Sequence, residues 1–215
     1  MYAVSTPSDG QISHDGTAWA KLHADVPIRF AREAGMIMNE LRAQLDHLAN
    51  VLARRNGANE DGASFPLLSS ENNLNATARH KIRRLSAVDQ EKIFNLQPFR
   101  DGRYEILLHL NHADVFRKHQ RPLGLMVEAA AAITTPGSIG MMTQSGGNHP
   151  LAQAGDRAEL AYIRNTTVGL APRFRLSVLE PEALRGFAIV SMINASIAAV
   201  YDIVREFNAP EKTSL

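Results

Sequence analysis

Apolar residues recur every three or four positions in the first third of the chain, and this spacing predicts a long amphipathic helix. At about 100° per residue such positions share one helix face. Asn56-Gly57 should end the helix, with Arg54 and Arg55 well placed at its C-terminal dipole. The apolar stripe consists of Ala34, Ile37, Leu41, Leu45, Leu48 and Leu52.

Further helices are expected in the middle and at the end of the chain. The basic run from Arg79 to Arg84 indicates a short helix, and Ser86-Ala-Val-Asp89 resembles the capped start of another. A second long helix is predicted from Arg103 to about His119, because Pro122 disfavours its continuation. The last helix should run from Gly186 to Phe207.

Strands are predicted where apolar and polar residues alternate. This pattern covers Arg157 to Arg164 and Arg173 to Leu179, and it suggests one or two short strands between Trp19 and Phe30. Leu123 to Thr134 fits a strand, although its alanine run fits a helix as well. Residues 135–150 are rich in glycine and are predicted to form a loop.

The order of these elements predicts an α+β fold in one domain over residues 1–215, with a loose start at residues 1–16. We expect an antiparallel helix-pair core, a small and mostly antiparallel sheet, and a C-terminal helix.

Composition narrows the classes of function. The sequence contains no cysteine, which excludes disulfides and thiol nucleophiles, and its net charge of +1 gives no global attraction to anions. It shows no secretory signal and no apolar run of the roughly 18–20 residues that span a bilayer. We therefore expect a cytoplasmic protein that has no membrane partner and no cofactor.

Polar residues within an apolar helix face provide the strongest functional signal. Asn111, Asp114 and Lys118 continue the stripe of Leu107 in the second long helix. Burying an amide, a carboxylate and an ammonium is costly unless they are paired. Arg42 and Asp46, spaced i, i+4 in the first helix, are candidate partners. Such a network is either a structural lock on helix register or a site with a tuned acid or base.

A metal site is not predicted. Glu105, His109 and His112 have helical spacing that could ligate a metal, but HExxH is absent and these residues share the expected solvent face.

The first long helix resembles a helix of a bacterial protein family that has no established activity. The resemblance rests on Asn39-Glu-Leu-Arg-Ala-Gln-Leu-Asp-His-Leu48, and the landmarks Phe65-Pro66, Leu96-Gln-Pro-Phe99 and Leu110-Asn-His-Ala-Asp114 follow in the same order. In that family a Lys-His pair comes directly after the Asp. Here Val115-Phe116-Arg117 separates Asp114 from Lys118 and His119.

Arg42-x4-His47 also resembles the R-x4–6-H motif of HEPN ribonucleases, which are dimeric helical proteins. Arg103-x5-His109 matches the same motif. The resemblance implies metal-independent RNA cleavage in a homodimer. His47 would act as general acid or base, and Arg42 would stabilise the phosphorane charge.

The expected site consists of Arg42, Asp46 and His47, supported by Asn111, Asp114, Lys118 and His119. The sequence therefore predicts a HEPN-like protein of a defence or toxin type that cleaves RNA without a metal or binds RNA. The alternative is a non-catalytic binding or scaffold protein in which the same residues only fix the helices.

Overall fold

The computed structural model describes residues 11–12, 16–67, 76–98, 101–119, 121–134, 143–163 and 168–208. The chain divides into two compact units. The strand unit comprises residues 1–31 and 124–188, and the helix unit comprises residues 32–123 and 189–215. Helices and antiparallel sheets are both present, which confirms the α+β class. That the two units fold as one domain stays a prediction.

Five α-helices form in the described residues: α1 (Ile28–Arg55), α2 (Ala76–Ile82), α3 (Ala87–Asn95), α4 (Ile106–His119) and α5 (Ile189–Asn208). None of them is both long and apolar enough to cross a membrane. The predicted end of α1 is confirmed, because Gly57 adopts the left-handed backbone conformation (φ 71°) that closes many helices.

Contacts between helix ends show that α4 runs antiparallel to α1. Near the start of α1, a Cβ added to Gly35 would lie 2.6 Å from the Cδ atom of Arg117, which belongs to the last turn of α4. At the other end, Arg55 Nη1 donates to the Phe207 carbonyl of α5 (3.3 Å), and the residues before α4 line a pocket with the last turns of α5. Glycine at position 35 permits the close approach of Arg117.

Four of the six apolar residues predicted for the buried face of α1 are buried in the structure: Ala34, Leu45, Leu48 and Leu52. Met38 and Leu45 are fully buried, whereas Ile37 is 41% exposed. The sequence-based placement of Ile37 in the core is therefore wrong. Arg42 occupies the centre of the buried face and is only 8% exposed, because its guanidinium has partners outside the helix.

An ion pair at the end of α1 connects three helices. Arg55 Nη2 lies 2.6 Å from Asp89 Oδ1, and Asp89 is 3% exposed. Ser86 is the predicted N-cap of α3: its hydroxyl accepts the Asp89 N–H and donates to Asp89 Oδ2 (2.8 Å). With the bond from Arg55 to Phe207, this junction holds the C-terminal ends of α1 and α5 and the start of α3 together.

The strand unit contains six described strands: β1 (Gln11–Ile12), β2 (Gly16–Lys21), β3 (Gly124–Thr134), β4 (Thr143–Leu151), β5 (Arg157–Ile163) and β6 (Val168–Glu180). A four-stranded antiparallel sheet has the order β1-β6-β3-β4, and β2 pairs with β5 in a second sheet. The core of the strand unit contains residues in or next to both sheets: Ala20, Leu22, Val127, Ala129, Ala131, Leu151, Ala158, Leu160 and Ala161. The ambiguous alanine run is thus a strand.

Two sequence-based boundaries are corrected. Ile28 and Phe30 open α1 rather than a strand, and the Phe30 N–H donates to the Pro27 carbonyl (3.0 Å). Proline is compatible with a helix start, where N–H groups lack intrahelical partners. The predicted Gly-rich loop is a strand from residue 143 onward, because its backbone pairs with β3 without needing an apolar side-chain pattern. Residues 135–142, and most of the start predicted to be loose, lie outside the described residues.

We predict that Asp89→Ala lowers the free energy of unfolding by about 2–3 kcal/mol, because it removes the buried carboxylate that pairs with Arg55 and accepts the Ser86 hydroxyl. Urea unfolding followed by circular dichroism measures the change. Asp61→Ala is the matched control, since Asp61 is exposed and its side chain hydrogen-bonds only within a local turn with Asn59. Equal stability of the two variants would contradict a structural role for the junction.

Candidate nucleic-acid interface

Arg42 and Asp46 bind the backbone of a loop that lies after α1. Arg42 Nη2 donates to the Phe65 carbonyl (2.9 Å), and Asp46 Oδ1 accepts the Phe65 N–H (3.0 Å). The two side chains also form an ion pair, with Arg42 Nη1 2.9 Å from Asp46 Oδ1. We call these three residues the loop clamp.

The loop clamp explains why a guanidinium is tolerated on the buried face of α1. An uncompensated buried charge is strongly unfavourable, and here Asp46 supplies the opposite charge and Phe65 a carbonyl acceptor. Phe65 itself is fully buried, so its side chain anchors the loop while the clamp satisfies its backbone. Two residues of the expected site therefore fix the path of the chain.

His47 is exposed and makes no hydrogen bond or ion pair with any described residue. The structure does not bring its imidazole into a hydrogen bond with Arg42 or Asp46. Arg42 already contacts Phe65 and Asp46 through its terminal nitrogens.

The polar stripe of α4 forms a second cluster, separate from the loop clamp. Asp114 is 3% exposed and lies 2.6 Å from Lys118 Nζ, with Arg117 Nη2 at 3.8 Å. Asn111 is half-buried and forms no hydrogen bond with the described residues, and His119 is exposed. The predicted network across the two helices is therefore wrong, because Asp114 finds its cations within its own helix. Arg117 was not among the site residues predicted from the sequence, although its i, i+3 spacing from Asp114 could have indicated the contact.

The clamped loop in turn holds α2. The Ser64 N–H, adjacent to Phe65, donates to the Lys81 carbonyl (3.2 Å). On the other side, the Asn56 side chain donates to the Arg84 carbonyl (2.9 Å), and Arg84 Nη1 donates to the Asn59 carbonyl (2.9 Å). The residues that follow α1 therefore fix the position of α2 and of the turn after it.

Helix α2 and the turn after it contain five basic residues, which we call the basic segment: Arg79, His80, Lys81, Arg83 and Arg84. None of these five side chains forms an ion pair with a carboxylate in the described part of the chain. Arg79 lies over the Phe94 ring at 5.6 Å from its centroid. Arg83 Nη1 donates to His80 Nδ1 (3.2 Å), because a guanidinium has no acceptor atom.

Glu105, His109 and His112 do not form a metal-binding cluster in the structure, although their spacing would allow one. Within the described ranges, no group of three His, Asp or Glu side chains is arranged to hold a metal ion.

Comparisons of this chain with protein-family models, with the curated proteins and with the solved structures find no match.

We predict that Arg42→Ala lowers the free energy of unfolding by about 2–3 kcal/mol, since it leaves the buried Phe65 carbonyl without its donor and Asp46 without its cation. His47→Ala is the control on the same helix and should change stability by less than about 0.5 kcal/mol, as is usual for exposed positions. Urea unfolding of both variants tests this. An Arg42→Ala variant as stable as His47→Ala would mean that the clamp contributes little to stability.

Proposed function

We propose that the helix unit binds single-stranded RNA through the basic segment, as a binding protein and not as a nuclease. The observation that carries the proposal is the absence of a carboxylate partner for any of its five basic side chains among the described residues. Four of them carry a guanidinium or an ammonium group: Arg79, Lys81, Arg83 and Arg84.

Guanidinium and ammonium groups that have no carboxylate partner among the described residues suit a polyanion. Binding to phosphates releases condensed counterions, which supplies most of the affinity of non-specific nucleic-acid binding. Guanidinium groups add bidentate hydrogen bonds to phosphate oxygens. The protein as a whole carries a net charge of +1, so the attraction must be local, and the basic segment supplies it.

The pairing of Arg79 with Phe94 favours single strands. Unpaired bases stack on aromatic rings and on guanidinium planes, whereas bases within a duplex are not available for such stacking. Arg79 is exposed and lies over the Phe94 ring, so a guanidinium and an aromatic ring, both of which stack with bases, lie side by side. The resemblance to HEPN ribonucleases points to RNA as the polymer.

In this proposal Arg42 and Asp46 are positioning residues. They fix the backbone of Phe65, and the neighbouring Ser64 N–H binds the Lys81 carbonyl within the basic segment. The loop clamp thus fixes the position of the basic segment through Ser64.

RNA cleavage by Arg42 and His47, in a homodimer, is the competing function. It requires the Arg42 guanidinium to reach a scissile phosphate. The burial of Arg42 and its bonds to Phe65 and Asp46 favour the non-catalytic proposal.

We expect wild-type protein to bind a labelled single-stranded RNA with a salt slope of about −3, which four phosphate contacts would give. Affinity should then fall roughly fifty-fold between roughly 50 and 200 mM salt. The double variant Lys81→Glu/Arg83→Glu should bind at least about tenfold more weakly and with a shallower slope, since two contacts are lost. Fluorescence anisotropy measures both quantities.

The matched control is Arg29→Glu/Arg32→Glu, which makes the same charge change at two exposed arginines near the start of α1. It should retain most of the affinity. Equal losses in the two double variants would show that only net charge matters and would remove the basic segment as the site. Equal affinity for single-stranded DNA and RNA would exclude RNA selectivity.

We predict that wild-type protein leaves the bound RNA intact when EDTA is present. Metal-independent cleavage that disappears in folded His47→Ala would instead establish the HEPN-like ribonuclease. Because His47 is exposed and makes no described contact, its substitution should not unfold the protein, and a loss of cleavage could be assigned to chemistry.

A further inference from the structure

Helix α5 has a second apolar stripe beside its buried face, and this stripe is largely exposed. Val190 is 62% exposed, Ile197 46% and Tyr201 65%. At about 100° per residue, the members of the stripe fall within about 80° on the helix surface. A helix that is apolar on two sides is typical of one with neighbours on both sides. We call these residues the α5 stripe: Val190, Ile193, Ile197, Tyr201 and Val204.

The α5 stripe is almost free of charge. Residues 189–201 contain no Asp, Glu, Lys or Arg, and the charged residues of α5 are Asp202, Arg205 and Glu206 in its last two turns. Arg205 is exposed and lies over the Tyr201 ring, 5.9 Å from its centroid. A charged partner would lose hydration at the stripe without gaining an opposite charge. The surface that matches the α5 stripe is therefore itself apolar and uncharged.

We propose that the α5 stripe is the interface of a homodimer in which two α5 helices pack antiparallel, with the two-fold axis near Ile197. A second copy brings the same uncharged stripe, and two-fold dimers are the commonest soluble oligomers. Antiparallel packing places Arg205 beside the uncharged first turns of the partner helix. Parallel packing would instead set the two Arg205 guanidiniums against each other. In the antiparallel pair Val190 faces the partner's Tyr201.

The length of the α5 stripe limits the strength of this dimer. From Val190 to Val204 the stripe extends about 21 Å, at a rise of 1.5 Å per residue. One helix face of this length covers less than the roughly 800 Å² per partner that a standard interface buries. We therefore expect a reversible dimer with a dissociation constant in the micromolar range.

The dimer would present two basic segments, and this consequence alone rests on the proposed RNA binding. Arg55 binds the Phe207 carbonyl near the end of α5 and also Asp89, whose cap Ser86 lies two residues after the basic segment. The basic segment is therefore held near the C-terminal end of α5. Antiparallel packing puts the two segments at opposite ends of the paired helices, and a long RNA that reaches both binds more tightly without any new contact.

Sedimentation equilibrium of the full chain between about 1 and about 500 µM tests the dimer. Wild type should change from monomer to dimer within this range. Ile197→Glu should weaken association at least about tenfold, because pairing would bury a carboxylate without a partner. The matched control is Val115→Glu, since Val115 is 45% exposed on α4 and should leave association unchanged. A monomeric wild type, or equal weakening by both variants, would overturn the proposal.

Tyr201→Glu keeps the test valid if Ile197→Glu disturbs the fold. Tyr201 is largely exposed, so its substitution should leave the melting temperature of the monomer nearly unchanged. Association should again weaken at least about tenfold, for the same reason as in Ile197→Glu. A folded Tyr201→Glu variant that dimerises as wild type does would contradict the proposed interface.

The orientation of the helices can be tested by cross-linking, because the chain contains no cysteine of its own. A disulfide needs Cα atoms roughly 4.4–6.8 Å apart. A mixture of Val190→Cys and Tyr201→Cys should therefore form disulfide-linked dimers under mild oxidation, whereas each variant alone should form few. Cross-linking of each variant alone, and not of the mixture, would establish parallel packing and overturn the antiparallel arrangement.

RNA length distinguishes a failure of the dimer from a failure of the RNA site. The Lys81→Glu/Arg83→Glu variant should dimerise as wild type does, so the sedimentation result does not depend on RNA. Wild type should bind RNA of about 40 nucleotides several-fold more tightly than RNA of about 10 nucleotides. Ile197→Glu should lose this difference and keep its affinity for the short RNA. The same length dependence in a monomeric Ile197→Glu variant would overturn the role of the dimer in RNA binding.

Discussion

The hydrogen bond from Arg42 to the Phe65 carbonyl is the contact on which the rest of the helix unit depends. It places a charge on the buried face of the longest helix, where it is stable only with Asp46 beside it and the loop over it. Through Ser64 the loop then sets the position of the basic segment. A core helix, a connecting loop and a proposed RNA surface are thereby coupled by a few polar bonds.

The distribution of carboxylates in the helix unit explains why the basic segment keeps its positive charge. In the helix unit Asp46, Asp89 and Asp114 all pair with cations inside the fold. Their charges neutralise neighbouring arginines and lysines and are not available to the basic segment. A chain with a net charge of +1 can therefore present a local surface of one sign, because pairing is unequal between regions.

The sequence predicted features set by local chemistry. The Gly57 stop of α1, the Ser86 cap of α3 and the alternation of β5 all depend on near neighbours, and the structure confirms them. The partner of Arg42 is 23 residues away in a loop without periodicity, so no local pattern could identify it. The shift of the core from Ile37 to Met38 likewise depends on what packs against α1, which the spacing of apolar residues does not specify.

The glycine-rich composition that made β4 resemble a loop also suits its place in the sheet. Among the described strands, β4 lies at one end of the four-stranded sheet and is hydrogen-bonded to β3. An edge strand presents unpaired backbone groups that can recruit another chain. Pro150, opposite Glu128 in the register, has no N–H to offer, and a register irregularity interrupts the β3–β4 pairing between Ala129 and Ala131. A proline and a register irregularity are features that make an edge strand a poorer template for the addition of another strand.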